Sequence, residues 1–116
     1  MRRTCAIVLL LLTSSSARAQ PPGGAVPRSR ALEIFTANCQ PCHGPNGKGT
    51  PALKDLAFVG RTSWKHGATQ ADVVKTITNG APGTAMLPFG GRLTKAEISA
   101  LAYLVRSFSK TQPKSK

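Results

Sequence analysis

The chain has 116 residues, enough for one domain at most, and a formal net charge of +12 at pH 7. Only 5% of the residues are aromatic, so the side chains alone supply little volume for a core. The basic residues are scattered singly, which argues against nucleic-acid binding and favours partners with acidic surfaces.

Residues 1–19 have the layout of a secretory signal peptide. Arg2 and Arg3 precede an apolar run over residues 6–12, and Ala17-Arg18-Ala19 forms an A-x-A cleavage signature. The run is far shorter than the roughly 20 residues that span a bilayer, although an uncleaved anchor is the alternative. We therefore expect export to the periplasm, cleavage after about Ala19, and no membrane span in the mature chain.

Residues 20–28 are rich in proline and glycine and predict a flexible leader. A first helix is expected from Ser29, as N-cap, to about Asn38. Residues 43–56 are dense in turn formers and predict a loop.

A second helix is expected after Thr69 as N-cap, ending at Asn79-Gly80. Thr94, with Glu97 three residues later, has the pattern of a capping box and predicts a final helix. Its apolar stripe consists of Ile98, Leu101, Ala102, Val105 and Phe108. The expected fold is thus all-α, with three main helices in a domain over residues 29–109 and a basic polar tail over residues 110–116.

Cys39-Gln40-Pro41-Cys42-His43 carries the chemistry. The C-x-x-C-H spacing is typical of covalent c-type haem attachment: two thiols reach two vinyl groups, and the adjacent imidazole binds the iron. One covalently attached haem c would also supply the missing core volume. We expect Cys39 and Cys42 to form the thioethers and His43 to be an axial ligand.

Three other interpretations of the motif are open. Cys39 and Cys42 are the only cysteines after the signal peptide, and two cysteines in an oxidising compartment often form a disulfide. A thioredoxin-like pair would need a βαβ pattern, which the sequence lacks. A zinc site needs four ligands, and adjacent Cys42 and His43 would strain chelation of one metal.

Met86 is the candidate for the second axial ligand. It is the only methionine after the signal peptide, and it lies in a loop rich in glycine and proline over residues 81–92. A methionine that only fills the core would fit this polar loop poorly, whereas Met/His is a standard axial pair. His66 is the competing ligand and would give a lower potential.

The haem motif, the Met86 loop (Gly83-Thr84-Ala85-Met86-Leu87-Pro88-Phe89) and the Leu-Ala-Tyr-Leu segment at 101–104 together resemble the class I cytochromes c of bacterial type. The resemblance implies a small cytochrome c fold, wrapped round one haem, in which the first and last helices cross. It implies that Phe35 packs on the last helix, where Tyr103 matches the partner position. It also implies that Pro51 and Leu53 support the axial histidine, and that Trp64 reaches a haem propionate.

A haem with both axial positions filled suits outer-sphere electron transfer rather than oxygen chemistry. No catalytic dyad or triad is visible, so we expect an electron carrier and not an enzyme. Its redox partner proteins would dock on basic residues, for which the candidates are Lys48, Lys54, Lys65, Arg92 and Lys95. The alternatives are a haem-bearing subunit of a larger dehydrogenase or terminal oxidase complex, and a ligand-binding haem enzyme or sensor in which Met86 is displaced.

Overall fold

A computed structural model describes residues 25–61 and 63–110 of the chain. Four α-helices occur in this part: α1 (Arg28–Asn38), α2 (Gln40–His43), α3 (Gln70–Asn79) and α4 (Lys95–Lys110). The described residues contain no strand, which confirms the all-α expectation. The expected signal peptide, most of the leader and the tail beyond residue 110 lie outside the described residues.

The long connection between α2 and α3 is not a plain loop. It contains two 3₁₀ turns, Pro45–Gly47 and Lys54–Leu56. The dense turn formers of this stretch predict a loop, and short 3₁₀ pieces are a common form of such connectors.

Helix α1 begins earlier than expected. Its N-cap is Pro27 rather than Ser29, and the Pro27 carbonyl accepts a hydrogen bond from the Ala31 N–H at 3.2 Å. Pro27 has φ −66° and ψ 151°, an extended conformation that the proline ring itself favours. Ser29 therefore lies inside the first turn, and its expected capping role was wrong.

The N-termini of α3 and α4 are capped as the sequence predicts. The Thr69 hydroxyl accepts from the Asp72 N–H at 3.1 Å, and the Asp72 carboxylate accepts from the Thr69 N–H at 3.2 Å. The Thr94 hydroxyl accepts from the Glu97 N–H at 3.1 Å, and Glu97 accepts from the Thr94 N–H at 2.9 Å. Both helices thus begin with a complete capping box.

Helix α4 is the centre of the core, because both α1 and α3 pack on it. All five residues of its expected apolar stripe are buried, and so is Leu104. Small side chains allow α1 and α4 to approach closely: Ala31 is 1% exposed and Ala102 is fully buried. The remaining core residues come from the other two helices and the residue after α3: Ile34, Phe35, Val73, Ile77 and Ala81.

The aromatic contact between α1 and α4 uses a different residue from the one that the resemblance implied. Phe35 meets Phe108 edge-on, with ring centroids 5.2 Å apart. Tyr103 is 69% exposed and is not the partner. Tyr103 lies outside the apolar stripe of α4, and Phe108 lies within it, so the rotation of α4 selects Phe108.

The capping box of α4 makes the stability of the fold depend on pH. Hydrogen bonding by the Thr94 N–H, together with nearby Arg30, holds the pKa of Glu97 below its ordinary value. The stabilisation by ionised Glu97 is therefore complete above an unfolded-state pKa of roughly 4.3, and it is lost as the pH falls through the lower folded-state pKa.

We expect Glu97→Gln to lower the free energy of unfolding by roughly 0.3–1 kcal/mol at pH 7 and the deficit to shrink in acid. Urea unfolding at a series of pH values measures this. Glu33→Gln is the control, because Glu33 also pairs with Arg30 but its side chain is 67% exposed; it should cost almost nothing. Equal deficits for the two variants would contradict the assignment.

Candidate functional site

The C-x-x-C-H motif of residues 39–43 lies at the junction of α1 and α2. Backbone hydrogen bonds continue through the junction: the Cys39 N–H donates to the Phe35 carbonyl at 2.8 Å, and the His43 N–H donates to the Cys39 carbonyl at 2.9 Å. Cys39 and His43 are therefore one helical turn apart on the same side of the chain.

The two thiols have different surroundings. Cys39 is half-buried against the core, whereas Cys42 is exposed, and both are free thiols. Burial, with a smaller contribution from nearby Cys42, raises the pKa of the Cys39 thiol to about 11. No disulfide joins them in this structure, in contrast to the open alternative.

His43 is held by two contacts from the segment before α3. Its Nδ1 lies 2.8 Å from the carbonyl oxygen of Leu56, and its ring stacks on Phe58 with centroids 4.4 Å apart and planes inclined by 25°. A carbonyl only accepts hydrogen bonds, so Nδ1 carries the hydrogen and Nε2 keeps its lone pair. This is the tautomer that a metal-ligating histidine needs.

The acceptor for His43 lies further along the chain than the resemblance implied. Leu56, at the end of the second 3₁₀ turn, supplies the carbonyl; Pro51 is exposed and Leu53 is 40% exposed. The sequence has no signal for this contact, because any residue has a backbone carbonyl and only the path of the loop decides which one arrives.

The loop after His43 is closed by backbone hydrogen bonds. The Gly49 N–H donates to the His43 carbonyl at 2.7 Å, and the Phe58 N–H donates to the Gly47 carbonyl at 2.7 Å. Gly47 is buried with φ +71°, and a Cβ there would lie 2.5 Å from the Phe58 ring and 3.4 Å from the Phe108 ring. The loop therefore fits between Phe58 and the end of α4 only because residue 47 has no side chain.

The loop that carries Met86 folds back on the end of α3. The Ala81 N–H donates to the Met86 carbonyl at 3.1 Å, and the Met86 N–H donates to the Thr84 hydroxyl at 3.2 Å. The N–H groups of residues 89 and 90 donate, each at 3.0 Å, to the carbonyls of Ile77 and Thr78 in the last turn of α3. Carbonyls that a helix end leaves unpaired thus anchor the loop.

The Met86 loop is also joined to the end of α1. The Arg92 guanidinium lies over the Phe89 ring at 4.9 Å from its centroid, and it donates to the Asn38 side-chain oxygen at 3.5 Å. Met86 is half-buried and packs against the same core cluster as Cys39. The two halves of the expected site therefore belong to one packed unit.

The other residues noted in the sequence lie around this unit. Trp64 is half-buried and its ring centroid is 5.5 Å from that of Phe58, whereas His66 is exposed. Over residues 25–61 and 63–110, no group of three or more His, Cys, Asp or Glu side chains is placed to hold a metal ion. In the same residues, no helix is both long enough and apolar enough to cross a membrane.

The donors fit a haem c. Two thiols, an imidazole with a free Nε2 and a thioether are the ligand chemistry of a c-type haem with Met/His axial ligation. The fold and these donors define a mono-haem cytochrome c of class I.

Comparison with known proteins agrees with this class. Residues 28–105 match the family described as "Cytochrome C oxidase, cbb3-type, subunit III". The chain belongs to this family, and its cofactor is covalently bound haem c.

Three similar proteins illustrate the range of the match. The FixP subunit of the cbb3-type cytochrome c oxidase of Azorhizobium caulinodans is 40% identical over 86 residues, 74% of this chain and 29% of that protein. The cytochrome c6 of Diacronema lutheri is 33% identical over 75 residues, 65% of this chain and 88% of that protein. The structure of cytochrome c6 from the diatom Phaeodactylum tricornutum has a TM-score of 0.59 and 26% identity, covering 73% of this chain and 97% of that one.

The requirement for glycine at position 47 can be tested by comparison with Gly60, which has a similar backbone conformation. Gly60 has φ +77° and nothing within 4 Å of a built Cβ, so alanine there pays only the cost of positive φ. That cost is about 1 kcal/mol, and overlap with the Phe58 ring adds to it at position 47. We expect Gly47→Ala to lower the free energy of unfolding by ~1 kcal/mol or more beyond Gly60→Ala.

Urea unfolding of the two haem-loaded variants, followed by visible absorbance, measures the difference. Equal losses would mean that the loop around Gly47 yields freely and is not held between Phe58 and α4.

Proposed function

We propose that this chain passes single electrons by means of one haem bound through Cys39, Cys42, His43 and Met86. Cys39 and Cys42 would form the thioethers, and His43 and Met86 would bind the iron. The haem iron supplies a one-electron couple. The observation that carries the proposal is the hydrogen bond from His43 Nδ1 to the Leu56 carbonyl, which leaves Nε2 available as a ligand.

The protein's part in the mechanism is to hold the ligands still. His43 is fixed in its own plane by the Leu56 carbonyl and on its face by Phe58. The Met86 loop is pinned to the end of α3 by backbone hydrogen bonds. With both proposed ligands held in this way, a bound haem would need little rearrangement when its oxidation state changes, which would favour fast outer-sphere transfer.

The charge distribution supports an acidic partner. Each of the four acidic residues already has an internal contact: Glu33 and Glu97 pair with Arg30, Asp55 lies 3.7 Å from Arg61, and Asp72 caps α3. Lysines 48, 54, 65 and 95 are exposed and form no ion pair within the described residues. The surface therefore offers excess positive charge to a partner.

We further propose that the chain works in the periplasm after cleavage near Ala19. The hydrophobic segment over residues 6–12 and the A-x-A signature support export. Covalent haem attachment to two thiols is compatible with a compartment in which those thiols would otherwise pair.

Met86 ligation can be tested by spectroscopy. We expect the ferric protein to show the weak long-wavelength charge-transfer band of methionine-ligated haem, and Met86→Ala to lose the band and have a lower reduction potential. His66→Ala is the control and should keep both. Loss of low-spin character in His66→Ala, with Met86→Ala unaffected, would instead assign the second ligand to His66.

A haem-bearing subunit of a larger complex is the second candidate. It is favoured by the similarity to FixP and CcoP subunits of cbb3-type oxidases, of which this chain spans less than a third of the length. We expect size-exclusion chromatography of the natively expressed protein in mild detergent to separate the two. A free carrier elutes at its monomer size, and a subunit elutes with haem-containing partners.

Electron-transfer kinetics with the natural partner test the docking proposal. For a partner with acidic docking groups, the bimolecular rate should fall as ionic strength rises from low values to about 0.15 M, where the Debye length is about 8 Å. A rate independent of salt would contradict docking through the exposed lysines.

A further inference from the structure

Two residues of the segment 56–59, Leu56 and Phe58, contact the His43 imidazole from different directions. The Leu56 carbonyl meets the edge of the imidazole at Nδ1, and the Phe58 ring covers its face at 4.4 Å. The hydrogen bond restricts the tilt of the ring, and the stack restricts its rotation about the Cβ–Cγ bond. Together they set the plane of the imidazole.

The position of Phe58 does not depend on His43 alone. Its N–H donates to the Gly47 carbonyl at 2.7 Å, and its ring lies 5.5 Å from that of Trp64, inclined by 44°. The ring edge borders Gly47, where even a Cβ would be too close. Phe58 is therefore fixed by the Gly47 carbonyl, by the Trp64 ring and by the close approach of the Gly47 backbone. Because Phe58 is fixed, its ring restricts the movement of the His43 imidazole.

The surroundings of the Phe58 ring are apolar. Phe58 and Trp64 are both half-buried and pack against the core cluster, and of the two it is Phe58 that stacks on the His43 imidazole. An apolar shell beside a metal ligand excludes solvent and disfavours the more highly charged oxidised state.

We infer that Phe58 is a positioning residue that sets the plane of the His43 imidazole and shields it from water, and so tunes the haem of this protein. The inference rests on the proposed function, in which His43 is an axial ligand. Phe58 contacts the His43 imidazole, so its effect on a bound haem would be exerted through His43 and through the exclusion of water.

The test compares three variants of the haem-loaded protein. Phe58→Leu removes the ring, Phe58→Tyr keeps it, and Phe35→Leu removes a phenylalanine ring from the α1–α4 core, where the aromatic partner is Phe108 rather than His43. The readouts are the proton NMR shifts of the haem methyl groups in the ferric protein, which follow the orientation of the axial ligand planes, and the reduction potential.

We expect Phe58→Leu to lose the parental pattern of methyl shifts and to have a lower reduction potential. Phe58→Tyr should keep the parental pattern of methyl shifts. Phe35→Leu should also keep this pattern, although its melting temperature should be lower. If Phe58→Leu does not fold, Phe58→Tyr and Phe58→Trp provide the test. A parental pattern of methyl shifts in Phe58→Tyr and a changed pattern in Phe58→Trp, whose ring is larger, would support the same role.

Parental methyl shifts and potential in Phe58→Leu, with only a lower melting temperature, would overturn the inference and leave Phe58 as a core residue. So would parental shifts in both Phe58→Tyr and Phe58→Trp when Phe58→Leu does not fold. Failure of the proposed function looks different: the parent protein itself would lack a low-spin spectrum with His and Met ligation, whatever residue stands at position 58.

Discussion

The Phe108 ring, near the end of α4, joins the parts on which the site depends. It meets Phe35 of α1 edge-on, and it borders Gly47 in the loop that follows His43. Cys39 follows Phe35 by one helical turn and is hydrogen-bonded to it through the backbone. One buried ring therefore packs against α1 and against the loop that follows His43, so α4 and these two segments belong to one close-packed core.

The second half of the site depends on α3 in the same way. Ile77 of α3 is part of the core beside α4, while the carbonyl of the same residue accepts a hydrogen bond from the Met86 loop. The loop has little regular structure, yet its position follows from a packed helix end. Arg92 then links this loop back to Asn38 at the end of α1. The two segments that carry the proposed ligands, His43 and Met86, are thus both fixed to the same small core.

This arrangement suits electron transfer in either of the two settings considered. A carrier and a fixed subunit both need rigid ligands and a surface that partners recognise. Three of the four acidic residues pair with arginines and Asp72 caps α3, so the exposed lysines offer excess positive charge to other proteins. Similarity to a cytochrome c6 and to part of the FixP subunits agrees with a module that serves either way.

The sequence by itself determined the features that depend on neighbouring residues. The N-cap at Thr69 and the capping box of Thr94 and Glu97 follow from residues close in the sequence, and the C-x-x-C-H motif is contiguous. The apolar stripe of α4 also predicted that Phe108 is buried. Tyr103, five residues earlier, is turned away by roughly 140° at 3.6 residues per turn, so this periodicity was a better guide than the resemblance.

Only the tertiary structure decided which groups from the long connection reach His43. Every residue there has a carbonyl, and the path of two 3₁₀ turns selects that of Leu56. Phe58 reaches the imidazole because Gly47 leaves room for its ring. This contact joins two loop segments, and no periodic pattern in the sequence predicts it. Caps and the C-x-x-C-H motif can be predicted because they depend on neighbouring residues. The contacts of His43 cannot, because they depend on how distant segments pack.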